Sequence, residues 1–207
     1  MDVQQRKNNP VDEAVSPAEE SDIWIEEGES YMGEAEVILR LAIYYIKNNL
    51  TKEPVRVSID GAHLKTGNQV HFDIFEFCNR IGLIKIDENM SSWKGEYELQ
   101  GHDSHIIISS EPGVGDVNIN LLDGSIIYAE CKKGKNDKRG QEYPLMREAI
   151  GQLMTGCDFG VKTVPMVAVP DTGKARELAI RWSKLAQIKA IGIKFALISE
   201  DGSVSLL

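Results

Sequence analysis

Cysteine and histidine are scarce in this chain, and several familiar signatures are missing. The three cysteines, Cys78, Cys131 and Cys157, are an odd number, widely spaced and without a CxxC pair. That argues against a disulfide framework or a structural zinc site, and makes a reducing, cytoplasmic setting the default. The four histidines, His63, His71, His102 and His105, form no HExxH. His102 and His105 sit at the start of a strand-like run, where a lone surface pair is the expected reading. No apolar run approaches the roughly 18–20 residues a bilayer span needs. The N-terminal stretch MDVQQRKNNPVDEAVSPAEESD has no apolar centre, so it does not read as a secretory signal. Walker A, GxGxxG and GxSxG loops are all absent, which leaves no sequence signature for nucleotide binding or for a serine hydrolase.

What is present is a chain of 207 residues with 23 bases and 32 acids, a net charge of -9. Taken whole, that balance speaks against a polyanionic partner. The charge is concentrated, however. Residues 1–36 hold 11 acids and 2 bases, whereas residues 37–207 hold 21 of each. The body of the protein is therefore neutral, and the acidic excess belongs to its first segment. Residues 1–22, acidic and nearly without bulky apolar side chains, are expected to form a flexible tail. Residues 23–207 are expected to form one domain. The acidic stretch 1–29 is suited to repel or mimic DNA, or to dock a basic partner.

Helical spacing of Val37, Ile38, Leu41, Ala42 and Tyr45 predicts a helix over 31–48, with Glu34 toward its apolar side. A short strand is expected in 55–64 and a second helix over 69–82, ended by Gly82. The stretch 51–92 reads as an insertion packed on a core. From residue 95 the period becomes that of strands, with runs flanking 101–104 and then VNINLL and SIIYAEC joined at Asp123 and Gly124. SIIYAEC is almost wholly apolar, which suits a central strand. A helix over 141–154, a buried strand at 164–170, a basic helix at 174–190 and a strand at 193–199 follow. The expected fold class is α/β: three antiparallel strands within a mixed β-sheet flanked by helices.

Chemistry gathers at the ends of the hairpin. Asp116 opens one strand, and Glu130 and Lys132 end the other, two apart and so on one strand face. Charges that end an apolar strand are costly unless they are paired or bound to a metal. Two close carboxylates repel, and a hard cation such as Mg²⁺, with Mn²⁺ as a substitute, resolves the repulsion. A metal-bound water is a nucleophile for phosphodiester attack, and a neighbouring ammonium stabilises the phosphate charge. The competing reading is a salt-bridged hairpin end.

The run GDVNINLLDGSIIYAECK resembles the PD-(D/E)XK nuclease superfamily, the restriction-endonuclease-like fold, whose helix, three-strand meander, helix and strand match roughly residues 30–200. The resemblance implies Asp116 and Glu130 as metal carboxylates, Lys132 as catalytic lysine and the Cys131 carbonyl as a further ligand. It also implies Glu34 as an acid from the first helix, although an acid there suits the helix dipole equally. Gln152 is similar to the glutamine many members carry in the following helix, with a buried structural amide as the alternative. Gly115 stands where the motif often has proline, and no tyrosine follows Gln152 four residues on. The implied activity is a Mg²⁺-dependent DNA endonuclease, working as a homodimer or as a subunit of a larger assembly. The alternatives are an RNA-directed nuclease and a non-cleaving member that binds nucleic acid or a partner.

A strict two-residue turn at Asp123 and Gly124 would put Asp116 on the sheet face opposite Glu130. The site therefore requires a β-bulge or an odd-length loop between 116 and 130. Downstream, KKGKNDKR at 132–139 has a local balance of +4. Its Lys133, Lys135, Lys138 and Arg139 are candidate phosphate contacts, which Arg181, Lys184 and Lys189 would extend. A solvated charged loop is the other reading.

Overall fold

The computed structural model describes residues 31–113, 115–135, 141–156 and 158–207. Readings that fall on residues 1–30, including the acidic segment, and on Lys138 and Arg139 lie outside them. Strand β1 (Tyr31–Met32) leads into helix α1 (Glu34–Lys47). Acids in the first turn of α1 and Lys47 in its last suit the helix dipole. All the apolar positions expected on its inner stripe are buried, and so are Ala35, Leu39, Ile43 and Ile46.

Strand β2 (Val55–Ser58) buries Val55 and Val57 and exposes Arg56. It is followed by α2 (Gly61–Leu64), capped by Asp60, whose side chain accepts from the Ala62 N–H. The hairpin of β3 (Lys65–Thr66) and β4 (Gln69–Val70) comes next. Helix α3 (Ile74–Ile81) begins later than its expected start at 69, because Asp73 caps it by accepting from the Glu76 N–H. Gly82, at φ +80, ends it as expected. Strands β5 (Leu83–Lys85), β6 (Gly95–Leu99), β7 (His105–Ser109), β8 (Val117–Asn120), β9 (Ile126–Cys131) and β10 (Gly134–Lys135) follow. Then come α4 (Glu142–Gly156), β11 (Thr163–Pro170), α5 (Gly173–Trp182), α6 (Ala186–Ile191), β12 (Lys194–Ile198) and β13 (Val204–Leu206).

Nine strands form one mixed sheet in the order β13, β12, β11, β9, β8, β2, β7, β6, β5. This arrangement corrects two expectations. Strand β2 is not part of a peripheral insertion over 51–92: it lies inside the sheet, antiparallel to β8 and parallel to β7. Nor do the strands from 95 to 131 run as one continuous antiparallel series, because β2 separates β7 from β8. The segment between β2 and β8 loops out and returns to widen the sheet with β7, β6 and β5. Alternation along a strand reports which side chains are buried, but not which strand lies alongside.

One face of the sheet packs under α1 through Val57, Val117, Ile119, Ile127, Ala129 and Cys131. On the other face, Tyr128, Val167, Val169, Phe195 and Leu197 pack with residues of α4 and α5. Strands β9, β11 and β12 are thus apolar on both faces, as helix-covered strands must be. Strands β8, β2 and β6 carry Asn118, Asn120, Arg56, Glu96 and Glu98 at positions that are half-buried or exposed. Helix α4 carries the chain from β9 to parallel β11. The ends of β8, β9 and β2, together with the first turn of α1 and one side of α4, therefore border a common cleft. Among the described residues, no helix is long and apolar enough to cross a membrane.

Candidate metal centre

The register of the β8–β9 hairpin decides where the carboxylates stand. Val117 pairs with Ala129 and Asn120 with Ile126. Leu121 N–H donates to the Ser125 carbonyl at 2.8 Å, and Gly124 N–H donates to the Leu121 carbonyl at 3.0 Å. Residues 122–124 thus form a three-residue loop, with Gly124 at φ +78 supplying its left-handed position. This is the odd-length connection the site requires. It places Asp116 across from Glu130, one step beyond the last ladder pair, on the same face of the sheet.

Asp116 is pinned from both sides. Its N–H donates to the Ala129 carbonyl at 3.0 Å, and its carbonyl accepts from the Ser58 N–H at 2.9 Å. Its Oδ2 accepts from the Cys131 N–H at 2.7 Å. The carbonyl of Cys131 leaves its extended strand on the same side, toward Asp116, while its side chain is buried on the α1 face. The Cys131 thiol is held well above its ordinary range by burial and by the Asp116 charge.

Gly115 has a structural reason to stand where the resembled motif often has proline. Its φ of +72 is closed to proline. A Cβ there would also lie 2.6 Å from the Tyr128 ring. We expect Gly115→Ala to destabilise the fold by roughly 2–4 kcal/mol, from left-handed strain plus overlap. Chemical denaturation of the two proteins measures this, and an unchanged midpoint would contradict it.

Burial pushes the Asp116 carboxyl up to about 6, against the pull of the Cys131 N–H. Glu130, 7% exposed, is pushed to about 7 by burial and then by the Asp116 charge. Lys132 is 5% exposed. Its burial disfavours the ammonium, but Glu34, Asp116, Glu148 and Glu130 outweigh burial and hold it above its ordinary value. The triplet is therefore a buried rather than a surface hairpin end, although Lys132 is ion-paired there with Glu34 and Glu148. It is a buried carboxylate, Glu130, and a half-buried one, Asp116, beside a buried ammonium.

Glu34 lies in the cleft, and its neighbours there are the Lys132 ammonium and the His63 ring. Its Oε1 is 3.6 Å from Lys132 Nζ and 3.5 Å from His63 Nδ1. Burial raises its carboxyl, with Lys132 opposing. Sequence reasoning missed two residues here. Glu148 places Oε1 3.4 Å from Lys132 Nζ; its signal was present, since it lies one turn before Gln152 on the same helix. His63 had no signal, because only the packing of α2 against α1 brings it in. Gln152 and Lys133 line the cleft and are exposed, so Gln152 is not a buried structural amide. Lys135 contributes backbone to β10, paired with Tyr31. Arg181, Lys184 and Lys189 do not border the cleft, and Arg181 is 3.9 Å from Glu177.

The cleft has a volume of about 860 Å³. Among the described residues, no three His, Cys, Asp or Glu side chains converge to hold one ion. The donor set is nevertheless that of a hard cation: two carboxylates raised chiefly by burial, Glu130 also by the Asp116 charge, and a backbone carbonyl directed to the same side. Mg²⁺ commonly takes one or two carboxylates and keeps several waters, so Asp116 and Glu130 fit it without a third side chain. Comparison with known proteins returns no match: no family model fits the chain, and no curated protein or solved structure is significantly similar to it.

Proposed function

We propose that this protein is a Mg²⁺-dependent endonuclease that hydrolyses DNA phosphodiesters in the cleft at the end of β8 and β9. The observation that carries this reading is the hairpin register, which sets Asp116 opposite Glu130 with Lys132 beside them. The fold supports it. Taken in chain order, α1, β2, β8, β9, α4 and β11 run helix, three antiparallel strands, helix and parallel strand. That order is similar to the core that the resemblance to the restriction-endonuclease-like fold implies, with the segment between β2 and β8 read as an insertion.

Asp116 and Glu130 would hold the cation, with the Cys131 carbonyl as a further oxygen. When bound, the cation supplies a water of lowered pKa and neutralises phosphate charge. The bonds to Ser58 and Ala129 fix the Asp116 main chain, and the Cys131 N–H keeps its carboxylate from rotating away. Lys132 presents an ammonium where charge accumulates on the phosphate. Glu34, Asp60, Glu111 and Glu148 make the described cleft acidic, so a polyanion depends on the cation and on the 132–139 run to approach.

The test is nicking of supercoiled plasmid with Mg²⁺ and with a chelator, comparing wild type, Lys132→Ala and Asp116→Ala. Metal-dependent nicking by wild type alone is expected, and equal activity in all three would overturn the reading. The ion pairs of Lys132 with Glu34 and Glu148 favour one second reading, a non-cleaving binder of the same fold. It would show as Mg²⁺-dependent DNA retention without nicking, and a single-stranded RNA arm separates the two nucleic acids.

A further inference from the structure

Lys132 sits where the sheet ends, and it is met from both layers. From α1, on one face, Glu34 Oε1 lies 3.6 Å from its Nζ; from α4, on the other, Glu148 Oε1 lies 3.4 Å away. The Lys132 side chain is 6% exposed, whereas Glu148 is 55% exposed. A lysine has a flexible four-carbon stem and no fixed donor geometry. Held from one side only, its ammonium would fall toward Glu34 and Glu130, where it competes for the carboxylate that the cation needs. We propose that Glu148 is a positioning residue: it draws the Lys132 ammonium away from the carboxylate pair and keeps it over the cleft, where the scissile phosphate lies. This inference rests on the endonuclease reading. It assigns Glu148 no contact with metal or with substrate.

An exposed glutamate on a helix surface contributes little to stability, so Glu148→Gln is expected to leave the melting temperature unchanged. It is expected to lower kcat roughly tenfold, as a misplaced group does. The KM for plasmid and the Mg²⁺ concentration for half-maximal rate should stay within about twofold. In a Lys132→Ala background, Glu148→Gln should have no further effect, because it acts only through the lysine. Additive losses, or a raised Mg²⁺ requirement, would make Glu148 a ligand and overturn the proposal, as would full activity in Glu148→Gln.

A second readout does not need cleavage. Trace acetylation of the intact protein, read by peptide mass spectrometry, should modify Lys132 several-fold faster in Glu148→Gln than in wild type, and an unchanged rate overturns the proposal. A wild type that fails to cleave, but whose Lys132 is released in Glu148→Gln, contradicts the endonuclease reading and leaves the positioning contact standing.

Discussion

Replacing Asp116 with asparagine is expected to reduce metal-dependent cleavage by about a thousandfold or more, ~4 kcal/mol of transition-state stabilisation, while making the metal-free fold more stable at pH 8. The first effect follows from losing one of the two anionic ligands proposed for the cation. The second follows from the direction of the pKa shift. The Asp116 carboxyl ionises at about 6 in the fold, against 3.8 without its surroundings, and Glu130 at about 7 against 4.5. Between about pH 4 and 7 the folded chain therefore binds more protons than the unfolded chain, and stability falls as pH rises through that window. Above it the penalty is complete. Asparagine removes Asp116's share, on the order of 2 kcal/mol after screening by the open cleft, and keeps an oxygen to accept from the Cys131 N–H. Its charge no longer raises Glu130. Calorimetry at pH 5 and pH 8 should show wild type losing stability with pH and Asp116→Asn losing less. Millimolar Mg²⁺ should raise the wild-type melting temperature and leave the variant unmoved. A variant less stable than wild type at pH 8 without metal would contradict this electrostatic reading.

Lys132→Met is expected to combine the largest loss of stability with loss of activity. Lys132 is buried, and its ammonium offsets the carboxylates of Glu34, Asp116 and Glu130. Methionine fills a comparable volume but leaves those acids uncompensated, which costs about 3–5 kcal/mol when one partner of a buried pair is removed. At pH 5 the raised carboxyls of Asp116 and Glu130 take up protons instead, so the loss should shrink. Cleavage should fall by about two to four orders of magnitude, the range for a positioned electrostatic group. Denaturation midpoints at both pH values measure the first effect and plasmid nicking the second. A pH-independent loss of stability would point to packing rather than charge.

Much of this site was legible because its strands alternate. Val117, Ile119, Ile127 and Ala129 bury one face, which leaves the opposite face to Asp116 and Glu130 once the register is known. The register itself was hidden. Asp123 and Gly124 suit a two-residue turn as well as the end of a three-residue loop, and only the Leu121 and Ser125 pairing selects the second. The place of β2 was hidden for a different reason, since its neighbours β7 and β8 lie about fifty residues or more away along the chain. Glu34 borders the cleft, but the direction of its carboxylate depends on Lys132 and His63, which tertiary packing alone brings to it. Glu148 could have been read from its spacing to Gln152 on α4. The charge balance was informative once divided, because residues 37–207 are neutral and supply the described lining of the cleft apart from Glu34.

The central claim is that Asp116 and Glu130 share one divalent cation at the hairpin end. A crystal of the protein soaked in Mn²⁺, with anomalous diffraction recorded, tests it most directly. The expected result is one anomalous peak within about 2–2.5 Å of a carboxylate oxygen of each residue, absent in Asp116→Asn. A fully soaked crystal with no peak there, or with a peak held by Glu34 and Glu148 instead, would contradict it.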